Sequence, residues 1–347
     1  MGRLSGMSDF TIVPLDTTDH ELVQSWLSAG QAVHEHDSVG LAGWHPVRSL
    51  VGLVQGYSDR DEFHWVAVFG GQVIGTSTMN LSTLDNTHMA DIEVQVRPEH
   101  RRRGVGTALL QRMETEAAQA GRTTMSCWAS VPIPDGPPIS DSCIGFAAHH
   151  GYSDSLTTVT RRCDLDKVDD EELQQLWNQS MEAAEGFEVV VFEGTPPDDL
   201  IDGFAYLHGR MYTDMPLGEW DLQEADIDAD RIRDWERQRR EKGELHLQVA
   251  VRHKESGDVA GFTEIIIEGG REHHCFQGDT IVDPRFRGHK LGTILKIANQ
   301  VRIREWRPKM RYVWTGNAET NHHMIAINEA VGYRKIYNEA VYQKKLS

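Results

Sequence analysis

Two short segments gather the residues best suited to holding an anion. Arg101-Arg102-Arg103-Gly104-Val105-Gly106-Thr107 follows an apolar stretch ending at Val96 and opens a run with Val105, Leu109, Met113 and Ala117 at helical spacing. A strand that enters a helix through such a turn leaves backbone N–H groups unpaired at the helix N-terminus, where the peptide dipoles favour negative charge. Glycines at 104 and 106 let the backbone approach an anion closely, and the arginines add guanidinium donors for phosphate oxygens. Arg287-Gly288-His289-Lys290-Leu291-Gly292-Thr293 repeats the arrangement, with Lys290 replacing the middle glycine by a cation. Neither segment matches a P-loop or the Gly-x-Gly-x-x-Gly of a dinucleotide fold, so the chemistry indicated is a pyrophosphate cradle of another kind.

These turns belong to a longer repeat. A shift of 186 positions lays Gly75 on Gly261, Val96 on Val282, Pro98 on Pro284, Arg101 on Arg287, Gly106 on Gly292 and Thr107 on Thr293. Gly151-Tyr152 meets Gly332-Tyr333 after a small length difference. The chain therefore reads as two copies of one mixed α/β fold, over 8–163 and 173–347, joined by the acidic linker 164–172. Its 347 residues agree with that count, at roughly 150 residues per domain. Within each copy the pattern predicts helices, a hairpin and a third strand, Met89 to Val96 or Cys275 to Val282. The basic turn, a helix, a further strand (Thr124 to Ala129 or Arg311 to Thr315) and a last helix follow. Glu219 to Lys242 reads as a highly charged surface helix or a lid.

Lys plus Arg number 35 against 53 Asp plus Glu, a formal charge of −18 that repels nucleic acid and acidic membranes. An anionic ligand then needs a local basic site. Apolar runs such as Ile265-Ile266-Ile267 fall far short of the roughly 20 residues that cross a bilayer. Met1 to Phe10 carries no apolar leader, so a cytoplasmic location is expected. Four cysteines without a Cys-x-x-Cys pair are expected to be small buried side chains, and no metal is expected.

The segment Val96 to Leu110 resembles the acyl-CoA pyrophosphate loop, Arg/Gln-x-x-Gly-x-Gly/Ala, of the GNAT N-acyltransferase superfamily, and Val282 to Thr293 is similar to it. Asn317-Ala-Glu-Thr-Asn321 through Gly332-Tyr333 resembles the last strand and helix of that family, where an asparagine caps the helix and meets the pantetheine arm. In the first copy Ser140 stands in place of Asn321, after the proline-rich insert Val131 to Pro138. The layout is similar to tandem two-domain bacterial members. The resemblance implies two tandem GNAT-like domains, each a mixed, mostly antiparallel sheet with a splayed parallel strand pair and flanking helices. It implies acetyl-CoA as cofactor, held by the two basic turns, by Asn317 and Asn321, and by the backbone at Val94 and Val96 or at Thr280 and Val282.

An acceptor amine is mostly protonated at neutral pH, so a carboxylate must take its proton before attack. The candidates are Asp91 and Glu93, which alternation puts on one face of a strand, and Asp279 with Glu264 in the second copy. The second pair is preferred because that copy keeps the asparagine-rich final motif. The tyrosine that protonates the departing thiolate in many relatives is replaced by Asn328 and Ala147, and Tyr333 is expected to pack in the core. The function expected is transfer of an acetyl group from acetyl-CoA to a primary amine of a small molecule, by direct attack in a ternary complex, in a monomer or homodimer. A catalytically silent acyl-CoA-binding module is the alternative, and acetylation of a basic protein segment comes third. Nucleic acid and membranes are not expected as partners.

Overall fold

The structure, a computed structural model, describes residues 10–42 and 44–346, so the reading of Met1 to Phe10 lies outside it except at Phe10. The chain folds as two compact units. The first comprises the residues up to Leu156, Glu219–Asp221 and the residues from Glu339 onward; the second comprises Thr157–Gly218 and Leu222–Asn338.

The first copy runs through β1 (Thr11–Pro14), α1 (His20–Asp37), α2 (Pro46–Val54), β2 (Arg60–Phe69), β3 (Gln72–Ser82), β4 (Met89–Val96), α3 (Val105–Gln119), β5 (Thr124–Val131), α4 (Ser142–His149) and β6 (Ser153–Asp164). Its sheet is ordered β1-β2-β3-β4-β5, antiparallel except for the parallel β4–β5 pair. Alternation along the strands builds a core on each face. Trp65, Ala67 and Ile74 pack with Val105, Leu109 and Met113 of α3, while Val66 and Val73 pack with Val23 and Ala29 of α1.

The second copy continues with α5 (Asp170–Glu182), β7 (Phe187–Glu193), α6 (Ile201–Asp214), α7 (Ala229–Glu241), β8 (Leu245–His253), β9 (Val259–Ile267), β10 (His274–Val282), α8 (Leu291–Trp306), β11 (Tyr312–Ala318), α9 (His322–Ala330) and β12 (Tyr333–Lys345). In the second unit β11-β10-β9-β8-β7 are neighbours in that order, again with one parallel pair, β10–β11. Val249, Val251 and Ala260 face Leu291, Ile294 and Leu295 of α8, and Ala250 and Phe262 face Phe204 and Leu207 of α6.

The copies exchange their last strands. Residues Thr158 to Asp164 of β6 pair antiparallel with β11 in the second unit. The end of β12 lies beside β5, with Ala340 and Tyr342 in the first unit's core and the Leu346 N–H on the Thr123 carbonyl at 2.8 Å. This partition differs from the expected boundaries at 163 and 173. Residues 164–172 are no free linker: they hold the end of β6, the buried Leu165 and the first turn of α5, capped by Asp169 through the N–H groups of Glu171 and Glu172. Likewise the helix expected over Glu219 to Lys242 begins only at Ala229, where Asp228 accepts the Arg231 N–H. No helix among the described residues is long and apolar enough to cross a membrane.

Both parallel pairs open along their length. Strands β4 and β5 pair at Met89–Thr124, Ala90–Met125 and Asp91–Ser126, then part while both continue. Strands β10 and β11 pair at His274–Tyr312, Cys275–Val313 and Phe276–Trp314, then part in the same way. One difference separates them. Strand β4 pairs with β3 without a register shift, whereas β10 shifts against β9 between Gln277 and Thr280, so Gly278 and Asp279 together oppose Glu264.

Candidate functional site

Each basic turn lies at the open end of a parted strand pair and uses the same backbone shape. Arg102 and Gly104 have φ of 59° and 84°; their counterparts Gly288 and Lys290 have 91° and 55°. Lys290 thus adopts the left-handed conformation that glycine adopts without strain, and its side chain is exposed. The N–H groups of Arg102 to Thr107, and of Gly288 to Gly292, have no acceptor among the described residues. They form a row of donors at the N-termini of α3 and α8.

The leading arginines are fasteners. Arg101 donates from Nε to the Val96 carbonyl at 3.0 Å and from both terminal nitrogens to Asp37 at the end of α1, at 2.9 and 2.5 Å. Arg287 repeats this with the Val282 carbonyl at 3.3 Å and with Asp214 at the end of α6 at 2.8 Å. Their guanidinium groups are therefore engaged within the protein, unlike the exposed Arg102, Arg103 and Lys290, which have no side-chain partner among the described residues. Gly106 and Gly292 serve helix packing, since a Cβ would stand 3.2 Å from Phe146 of α4 and 3.0 Å from Ile327 of α9. Val94, Val96, Thr280 and Val282 all lie on the parted stretches of β4 and β10, and the Thr280 hydroxyl meets that of Thr263 at 2.7 Å.

The four carboxylates differ in surroundings. Asp91 is hydrogen-bonded by the Ser126 hydroxyl, and burial raises its carboxyl above the usual range against the opposing pull of Ser126 and Arg60. Glu93 is exposed and accepts from Gln95. Asp279 is half-buried, with its side chain 39% exposed and one oxygen 3.4 Å from His208 Nδ1 of α6. Glu264 is buried: Oε2 meets His246 Nε2 at 2.8 Å, Arg239 lies 3.8 Å away, and Oε1 accepts the Asp279 N–H at 3.3 Å. Burial opposes ionisation there, yet Arg239 and His246 overcome it and hold Glu264 well below the usual carboxylate range. Glu264 is thus held in a buried ion pair with His246 and Arg239.

The acetyltransferase (GNAT) family signature matches residues 22–132 and 210–333, one region in each copy. The chain belongs to that family. Over 98% of its length it is similar to 99% of a tandem GNAT protein from the clavulanic acid biosynthesis pathway, solved without acetyl-CoA, at 27% identity and a TM-score of 0.81. A GCN5-related N-acetyltransferase from Sphaerobacter thermophilus matches 98% of the chain with 97% of its own at 15% identity and a TM-score of 0.65. A putative acetyltransferase from Pyrococcus horikoshii matches the whole chain with 92% of its own, at 12% identity and a TM-score of 0.58. No curated protein matches.

The two GNAT copies keep different parts of the final motif. Asn321 caps α9 by accepting the Met324 N–H at 3.2 Å, whereas Ser140 accepts only a 3.3 Å bond from the Ser142 N–H near α4. Asn321→Ala is expected to lower the stability of the second unit by about 1 kcal/mol, read as a shift in denaturant midpoint at unchanged slope. Asn317 accepts from Asn328 at 3.1 Å and from the buried Arg161 at 3.2 Å. Tyr333 is fully buried and donates to Gln277, a core role. Cys163 and Cys275 are buried and Cys127 and Cys143 partly so, all as free thiols. Sequence reasoning missed Asp37, Asp214, His208, Glu236 and His246, because each meets its partner from a different element with no fixed spacing.

Proposed function

We propose that the second unit transfers an acetyl group from acetyl-CoA to the primary amine of a small molecule. The observation that carries this reading is the bulge of β10 at the point where it parts from β11, which sets a half-exposed carboxylate, Asp279, at the cleft. The residues present fit the cofactor: unpaired N–H groups from Gly288 to Gly292 and the exposed Lys290 suit a pyrophosphate, and the parted edge of β10 at Thr280 and Val282 suits an extended amide chain. When bound, acetyl-CoA supplies an activated acyl thioester.

Asp279 accepts the proton of the acceptor ammonium, and His208 beside it orients the carboxylate. Asn328, at the position of the tyrosine of many relatives, gives its amide hydrogen to Asn317 and has no acid to offer. Without an acid there, the leaving thiolate would rely on its own modest basicity, an ordinary thiol having a pKa of about 8.5, and would take its proton from water. The first unit is read as an acyl-CoA-binding or scaffolding copy, because β4 has no bulge and Asp91 is held by Ser126. Its loop donors match those of the second unit.

The test is release of free thiol from acetyl-CoA with a panel of small amines, amino acids and amino sugars. Amine-dependent release with formation of the acetylated amine supports the reading. Tight acetyl-CoA binding without release across the panel would transfer support to a silent binding module.

A further inference from the structure

One buried chain of charged groups crosses four elements of the second unit and ends on the bulge. Glu236 of α7 meets His246 Nδ1 of β8 at 2.6 Å, His246 Nε2 meets Glu264 of β9 at 2.8 Å, and Glu264 Oε1 accepts the Asp279 N–H of β10 at 3.3 Å. All three side chains are 4–6% exposed. With a carboxylate at each ring nitrogen, both nitrogens must donate, so the imidazole is charged and the chain reads minus, plus, minus. Arg239, 3.8 Å from Glu264, supplies the second positive charge.

The bulge and the chain occur together and are absent together. Counting from the aligned Gly75 and Gly261, the first copy has Thr78 where Glu264 stands, and Thr78 faces Glu93 in unbroken register. Counting back from the strand partners of those glycines, Ala67 and Val251, it has Glu62 in place of His246. A threonine is too short to reach under the neighbouring strand and take an extra N–H. Gly278 completes the fit: a Cβ there would lie 2.4 Å from Glu264 Oε1, so the carboxylate occupies the space that any other residue would fill.

We infer that Glu236, His246 and Glu264 are positioning residues that lock the β10 bulge and so fix Asp279 in place. The inference rests on the reading of the second unit as the catalytic one, but it has a readout that does not. Glu264 takes the bulge N–H, His246 holds Glu264 in the rotamer that does so, and Glu236 anchors the ring from α7. Breaking a buried pair leaves the remaining charge uncompensated, so each link depends on the next.

Three variants test this in the full chain: Glu264→Thr, which installs the first copy's residue, Glu264→Gln, which keeps an oxygen for the N–H, and Glu236→Gln at the far end. Hydrogen exchange without substrate, read on the peptide containing Gly278 and Asp279, is expected to quicken about 10-fold in Glu264→Thr and to be partly restored in Glu264→Gln. With saturating acetyl-CoA and a reactive amine, kcat in Glu264→Thr is expected to fall about 100-fold or more, while the acetyl-CoA dissociation constant stays near that of the wild type. Glu236→Gln, which disturbs only the anchor, is expected to show the same split to a smaller degree and serves if Glu264→Thr does not fold. Unchanged exchange at the bulge in the variants that fold would overturn the inference, as would parallel losses of kcat and acetyl-CoA affinity. If wild type releases no thiol, the proposed function fails, and the exchange measurements still decide whether the chain locks the bulge.

Discussion

Replacing Asp279 with asparagine is expected to lower kcat by roughly 10²–10⁴-fold, the usual worth of a positioned general base, with little change in acetyl-CoA affinity. The amide keeps the size and the half-buried position of the carboxylate but cannot accept a proton from an ammonium group. The unpaired N–H groups of Gly288 to Gly292, proposed to hold the cofactor, lie on a different segment, so cofactor binding is expected to be left in place. At the partly buried carboxylate of the first unit, Asp91→Asn is expected to leave turnover close to wild type, because that carboxyl is held by Ser126 and faces no bulge. Steady-state kinetics on the two variants, with acetyl-CoA affinity measured by calorimetry, reads both outcomes. Undiminished turnover in Asp279→Asn would remove Asp279 from the mechanism, and a collapse confined to Asp91→Asn would move catalysis to the first unit.

What the sequence revealed and what it hid follow from the range over which each feature is determined. The shape of the basic turns was legible because a left-handed residue, a helix start and a row of unpaired N–H groups are all local, and the repeat doubled the signal. Even the irregular Lys290 adopts the expected backbone shape. The exchange of β6 and β12 was not legible, since the residues after Gly151-Tyr152 and Gly332-Tyr333 read as strands whichever sheet receives them. The partners of the leading arginines were not legible, because Asp37 and Asp214, distant in sequence, take up Arg101 and Arg287 and pin each turn to the end of a helix. Glu264 carried a legible hint: it is a lone carboxylate among Phe262, Ile265, Ile266 and Ile267, where burial obliges it to find a cation. The sequence alone did not say that the cation was His246, 18 residues earlier on the neighbouring strand.

Lys296→Met is expected to stabilise the second unit by about 3 kcal/mol at pH 7 and to lose that advantage as the pH approaches about 10.5. Lys296 lies in the middle of α8, fully buried, with its ammonium 5.1 Å from the centre of the Tyr333 ring and no hydrogen-bond partner among the described residues. Burial, opposed by Cys163 and reinforced by the charge of Arg161, depresses its pKa from 10.5 to about 7. Below pH 7 the group is charged in folded and unfolded chains alike, and the folded state bears the whole cost of burying that charge. Between pH 7 and 10.5 the unfolded chain binds one proton more than the folded one, so wild-type stability rises by about 1.4 kcal/mol per pH unit. Above that range both states are neutral and the cost is gone. Over 3.5 units the cost is on the order of 5 kcal/mol, and methionine, similar in volume, returns at most about 1.5 kcal/mol of it through imperfect packing. Because Lys296 is buried within α8 of the second unit, the gain is also expected to raise the temperature at which that unit unfolds. Denaturant unfolding of both proteins at pH 7, 8.5 and 10 measures the gap directly: it should be widest at pH 7 and narrow steadily. A gap independent of pH, or a variant less stable at pH 7, would mean that Lys296 stays charged inside the fold and is compensated there.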